Sequence, residues 1–144
     1  MISDFDRRKI SDLSLFLDKC HYSGRVKMAA FLVSRKNRIV AYGNNSISLN
    51  CEVKLMESLT GKKLSFRKKR TRIGTIHAEM ACFASLGFSQ KYIRGTTLYV
   101  RGVSLCNNSL KSKPCPTCLK LASFLGVKRI VYSNKGNEIV EEIL

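Results

Sequence analysis

The 144-residue sequence is short of acidic side chains: 10 Asp and Glu stand against 26 Lys and Arg, for a formal net charge of +16. It also lacks any apolar run near the ~20 residues that a membrane-spanning helix needs, so no membrane is expected as a partner. The opening Met1-Ile2-Ser3-Asp4-Phe5-Asp6-Arg7-Arg8 has no signal-peptide apolar segment, which leads us to expect a cytoplasmic location, or a nuclear one. A disulfide framework is missing as well. Cys20, Cys51, Cys82 and Cys106 are scattered and read as small buried hydrophobes in a reducing compartment; only Cys115 and Cys118 have ligand spacing. What the chain does have is 44% hydrophobic residues, which argues against disorder, and a length that suits one domain, 1–144, around a single core.

The scarcity of acids is uneven. Residues 58–137 hold 16 Lys and Arg and one acid, Glu79, whereas the other 64 residues hold 10 Lys and Arg against 9 acids. The excess charge is therefore concentrated in one segment, where it attracts polyanions and speeds their encounter.

Apolar spacing predicts an amphipathic helix over residues 3–20, capped by Ser3, with Phe5, Ile10, Leu13, Phe16 and Leu17 on one face. Residues 26–34 and 39–42 read as strands joined in a hairpin through Arg35-Lys36-Asn37-Arg38. Residues 46–75 read as a basic loop or insertion, with a short helix over 51–59 and seven cations within 62–72. A helix over 76–86 with Gly87 at its end, a strand over 96–100 and a helix over 114–125 closed by Gly126 follow. Strands over 130–132 and 138–144 finish the order α-β-β-α-β-α-β-β. Only five residues separate the last two strands, too few for a parallel crossover, so they should form an antiparallel hairpin.

Two motifs fall at predicted helix starts. Thr75-Ile76-His77-Ala78-Glu79 offers an imidazole and, two residues on, a carboxylate; Pro114-Cys115-Pro116-Thr117-Cys118 offers two thiols one helical turn apart. One imidazole and two thiolates leave the fourth position of a tetrahedral Zn²⁺ for water, and Glu79 remains as a base beside it. Alone, Cys-Pro-Thr-Cys also fits a redox dithiol, and His-x-Glu says little. Together they form the pattern of zinc nucleobase deaminases.

On these motifs the chain resembles the cytidine deaminase superfamily, in element order as well as in residues. The resemblance implies a three-layer αβα fold around a central mixed five-stranded sheet. It implies that His77, Cys115 and Cys118 ligate Zn²⁺ and that Glu79 shuttles protons. Gly43-Asn44-Asn45 matches the family's Gly-x-Asn, so Asn45 is carried over as a substrate contact, with Ala78 beside it; a plain turn asparagine is the local alternative. Families of this kind often form dimers or tetramers, so a homo-oligomer is among the expectations.

The substrate divides the reading. An antiparallel last hairpin resembles the free-nucleoside cytidine deaminases and some toxin-like and RNA-editing relatives. It departs from the tRNA adenosine and deoxycytidylate enzymes, and so favours cytosine. The basic run points instead to single-stranded nucleic acid: Lys68, Lys69, Arg70 and Arg72 suit phosphates and Phe66 suits stacking on a base. A solvated basic loop or a nuclear-localisation stretch is the plain alternative for that run. Three functions are therefore carried forward: a cytosine deaminase on single-stranded RNA or DNA, a deaminase of free cytidine, deoxycytidine or deoxycytidylate, and a non-catalytic zinc-stabilised nucleic-acid-binding module.

Overall fold

The computed structural model describes residues 1–18, 26–47, 75–104 and 109–144. The expected 51–59 helix and the basic run with Phe66, Lys68, Lys69, Arg70 and Arg72 lie outside them.

Helix α1 (Asp4–Asp18) starts from a reciprocal cap: the Ser3 N–H donates to Asp6 Oδ2 at 2.9 Å and the Asp6 N–H to Ser3 Oγ at 3.1 Å. Strands β1 (Val26–Val33) and β2 (Ile39–Asn44) pair antiparallel, and Asn37 takes the left-handed conformation in the turn, φ 61°, as an asparagine tolerates well. Short β3 (Ser46–Ile47) and β4 (Thr75–Ile76) pair with each other. Next come α2 (Ala78–Ser85), the single-turn α3 (Gln90–Ile93), β5 (Thr97–Ser104), β6 (Ser109–Leu110), α4 (Pro116–Leu125), β7 (Arg129–Ser133) and β8 (Ile139–Ile143).

The main sheet runs β2-β1-β5-β7-β8, with β6 added beside β5. It is mixed: β5 and β7 are parallel, and the other pairings, including the expected β7–β8 hairpin, are antiparallel. Strand alternation sorts the core into two layers. Ala30, Leu32, Leu98, Val100, Ile130 and Tyr132 pack with α2 and α4 on one face. Ala29, Phe31, Val33, Tyr99 and Val131 pack with Ile10, Leu13 and Leu17 of α1 on the other. The result is the expected αβα sandwich, with both motif-bearing helices in the same layer.

The end of α2 follows from its sequence. The Gly87 N–H bonds to the Ala84 carbonyl and the Phe88 N–H to the Phe83 carbonyl, both at 2.9 Å, with Gly87 at φ 62°. That closure needs a left-handed residue, which glycine adopts without a Cβ penalty. Among the described residues, no helix is long and apolar enough to cross a membrane.

On the α1 face, Asp6 is 1% exposed and receives four hydrogen bonds. Arg129 grips both its oxygens, Nη1 at 3.0 Å and Nη2 at 2.9 Å; the Tyr99 hydroxyl donates at 2.6 Å, and the Ser3 N–H completes the set. Arg129 Nε also donates to Glu141 at 3.2 Å. Burial works against the Asp6 charge, but these donors outweigh it and hold the carboxyl well below its ordinary range. Asp6 thereby ties the start of α1 to β5 and β7, and Arg129 extends the network to β8.

Candidate metal centre

His77 and Cys115 occupy equivalent places, each the N-cap of a helix in the same layer. His77 precedes α2 with extended backbone (φ −73°, ψ 153°), and Cys115 precedes α4 likewise (φ −67°, ψ 163°). Neither side chain is spent on capping its own helix, so both are directed elsewhere. Pro116 takes the first helical turn of α4, where its missing N–H costs nothing. Cys118 then follows on the buried side of that first turn. The expected 76–86 helix is shorter than its apolar pattern suggests, because Ile76 belongs to β4 and His77 is the cap.

This arrangement brings the two motifs into one cluster. The donor atoms of His77, Cys115 and Cys118 all lie within 4.8 Å of one another. His77 Nδ1 is 3.5 Å from Cys115 Sγ and 3.4 Å from Cys118 Sγ. Ordinary zinc–sulfur and zinc–nitrogen bonds at tetrahedral angles place sulfur and nitrogen about 3.6 Å apart. The donor set therefore fits Zn²⁺ in chemistry and in span, and among the described residues no fourth donor joins the three.

Protons are already unequally shared among the three. Hydrogen bonding from Cys118 and then from His77 pulls the Cys115 thiol down to about 4. The bond to Cys115, burial and nearby Glu79 hold Cys118 well above its ordinary value. His77 is raised, chiefly by its hydrogen bond to Cys115. Cys115 would be offered to a divalent cation as a thiolate, and Cys118 would have to give up its proton to join it. Both sites sit at helix N-termini, whose partial positive charge favours thiolate.

Glu79 lies in the first turn of α2, is 3% exposed, and stands close enough to Cys118 and His77 for each to affect its ionisation. Burial is the largest influence and raises its pKa. A carboxyl pushed upward in this way is suited to both taking and returning a proton near neutrality.

Ala78, between ligand and base, is fully buried. Asn45 lies just past β2 and joins it to β1: its Oδ1 accepts from the Met28 N–H at 2.9 Å, and its own N–H donates to the Met28 carbonyl at 3.2 Å. Cys82, one turn beyond Glu79, directs its thiol to the Ala30 carbonyl at 3.2 Å inside the core, as expected of a small buried hydrophobe.

Gly43 contributes through its missing side chain. A Cβ there would lie 2.6 Å from the Ala78 carbonyl oxygen, 2.7 Å from Ala81 Cβ and 2.8 Å from the Cys82 N. Strand β2 thus presses directly on the first turns of the helix that carries Glu79. A glycine inside a strand is the sequence signal for such an approach. Two of the three obstructing atoms are backbone, so Gly43→Ala must displace the helix. We expect a loss of about 1–3 kcal/mol in thermal or urea unfolding, accompanied by weaker Zn²⁺ retention in a chelator competition. An unchanged melting midpoint together with unchanged retention would show that the helix has room to move.

Residues 6–134 match the family model described as the cytidine and deoxycytidylate deaminase zinc-binding region. No curated protein matches the chain.

Proposed function

Since the chain belongs to the cytidine and deoxycytidylate deaminase zinc-binding family, we propose that it is a zinc-dependent hydrolytic deaminase converting cytosine to uracil on single-stranded RNA or DNA. The observation that carries the reaction is a three-donor cluster of His77, Cys115 and Cys118 with a buried carboxylate, Glu79, left over beside it. A closed structural site would use a fourth protein ligand and would need no base.

Zn²⁺ in such a set supplies Lewis acidity, bringing the pKa of water from ~16 toward ~7. His77, Cys115 and Cys118 would hold it from two helix starts fixed by the same sheet. Glu79 accepts a proton as the water oxygen adds to the amino-bearing ring carbon. It passes that proton to the ring nitrogen, then takes the second proton from the hydroxyl now on the ring carbon and passes it to the amino group. The carbon–nitrogen bond breaks, ammonia departs, and the carbonyl of uracil replaces the amine. Burial of Glu79 keeps solvent from trapping its proton between these steps.

Polymer as the substrate is supported by charge. The stretch of residues 58–137 that contains the cluster carries 16 Lys and Arg with Glu79 as its one acid. A free nucleoside offers no phosphate to meet them. Binding of a short single strand should therefore be strongly salt-dependent. With about four phosphates engaged, affinity should fall roughly 50-fold between 50 and 200 mM salt. Fluorescence anisotropy with a labelled oligonucleotide measures this directly, and a flat salt response would remove the polymer reading.

The antiparallel β7–β8 hairpin favours a second reading, free cytidine, deoxycytidine or deoxycytidylate, by its resemblance to free-nucleoside deaminases. Turnover of these compounds, with no binding of single strands at low salt, would decide for it.

A further inference from the structure

On the face of the sheet covered by α1, strand β5 places an arginine where its neighbours are core. Tyr99 belongs to the apolar cluster beneath α1, Val103 packs against that cluster, and Arg101 stands between them. Its Nη1 donates to the Ile10 carbonyl of α1 at 3.2 Å. Its Nε is buried and, among the described residues, has no hydrogen-bond partner. Among the described residues no carboxylate forms an ion pair with it, and the buried acid of this face, Asp6, is gripped by Arg129. A partly buried guanidinium without a counter-ion is unfavourable, and it persists where something else supplies the negative charge.

Beside Arg101 is a cleft of about 210 Å³ lined by Arg7, Ile10, Ser11, Arg101, Ser133 and Ile139. Arg7 and Ser11 lie one turn apart on α1, while Ser133 and Ile139 come from β7 and β8. Among the described residues the lining offers two guanidinium groups, two hydroxyls and no acid. Ser133 Oγ lies 3.0 Å from Ser112 Oγ, which fixes its position. Ile10 and Ile139 supply apolar walls, beside which a charge-assisted bond is stronger than in open water. Guanidinium forks match the planar spread of phosphoryl oxygens better than any other side chain does.

We propose that this cleft is a phosphoryl-binding site, separate from the metal centre and on the opposite face of the sheet. Its ligand is a phosphate group, contributed either by a small phosphorylated molecule or by the backbone of a nucleic-acid strand. Two guanidinium groups with two hydroxyls beside them favour a doubly charged oxyanion over chloride. It stands on Arg101, Arg7 and the cleft, and does not depend on deamination.

The test uses the full zinc-loaded chain with inorganic phosphate and with a cytosine-free oligothymidylate, each titrated at fixed ionic strength. Binding is followed by amide chemical shifts in two-dimensional NMR. Saturable shifts should appear around residues 7–11, 101 and 133–139. Arg7→Gln, on the exposed side of α1, should fold normally and weaken binding severalfold. Arg101→Gln should weaken it roughly tenfold or more. Arg101→Leu should melt no lower than wild type in phosphate-free buffer and should show no response to phosphate. Tighter binding of the oligonucleotide, lost in the same variants, identifies a strand as the source; equal binding of phosphate alone identifies a small molecule. Shifts absent from the cleft, or affinity unchanged in both Arg7→Gln and Arg101→Gln, would overturn the proposal.

Discussion

Glu79→Gln is expected to bind one zinc per chain, melt no lower than wild type and lose about 10²- to 10⁴-fold in deamination rate. Each part has its own cause. The metal donors are His77, Cys115 and Cys118, and glutamine alters none of them. Glu79 is 3% exposed and its ionised form is penalised by burial, so a neutral isostere removes a cost rather than a support. The rate falls because glutamine cannot carry a proton from water to the ring and the amine. Metal content by mass spectrometry, melting by calorimetry and uracil formation by chromatography separate the three. A variant that loses zinc would make Glu79 a structural partner of the cluster, and one that keeps its rate would place the base elsewhere.

Asp6→Ala is expected to cost about 3–5 kcal/mol, or roughly 10–15 °C in melting midpoint for a domain of this size. The substitution strips Arg129 of its bidentate partner, leaves the Tyr99 hydroxyl without its acceptor and removes half of the reciprocal cap of α1. Tyr99→Phe, which deletes one of those bonds, should cost about 1 kcal/mol. The pH dependence has a definite sign. The Asp6 carboxyl is depressed below its unfolded value, so its contribution is complete above that value and is lost as pH falls through the folded one. The gap between wild type and Asp6→Ala should therefore be widest above about pH 5 and should narrow below about pH 4. A gap that is small, or constant from pH 7 to pH 3, would mean that Asp6 is not the anchor of α1.

The site was legible in the sequence because its parts are local. His77-Ala78-Glu79 and Cys115-Pro116-Thr117-Cys118 each sit at a helix start that nearby residues define: Pro116 suits a first turn, and Gly87 and Gly126 end the two helices in left-handed conformations. Strand β1 is nearly continuous in apolar character, as befits a strand with a core layer on each face. Less was legible where stability comes from distant partners. The two-residue strands β3, β4 and β6 have no periodicity of their own and exist through their pairing. Helix α3 is a single turn, too short for a helical pattern to register. Asp6 and Arg129 are 123 positions apart, and nothing near either residue announces the other, although Ser3 three residues before Asp6 carries the cap signal. Gly43 was matched as part of a motif, but its contact with the Ala78 carbonyl emerges only when β2 lies under α2.

The central claim is that His77, Cys115, Cys118 and Glu79 form a hydrolytic deamination site. The most direct measurement incubates the zinc-loaded chain and Glu79→Gln with cytidine, deoxycytidylate, single-stranded DNA and single-stranded RNA in parallel, and quantifies uracil and ammonia. The account predicts equal amounts of both products from at least one cytosine substrate, with the polymers preferred at low salt, and their loss in Glu79→Gln. No uracil from any of the four, by protein holding one zinc per chain, would contradict it.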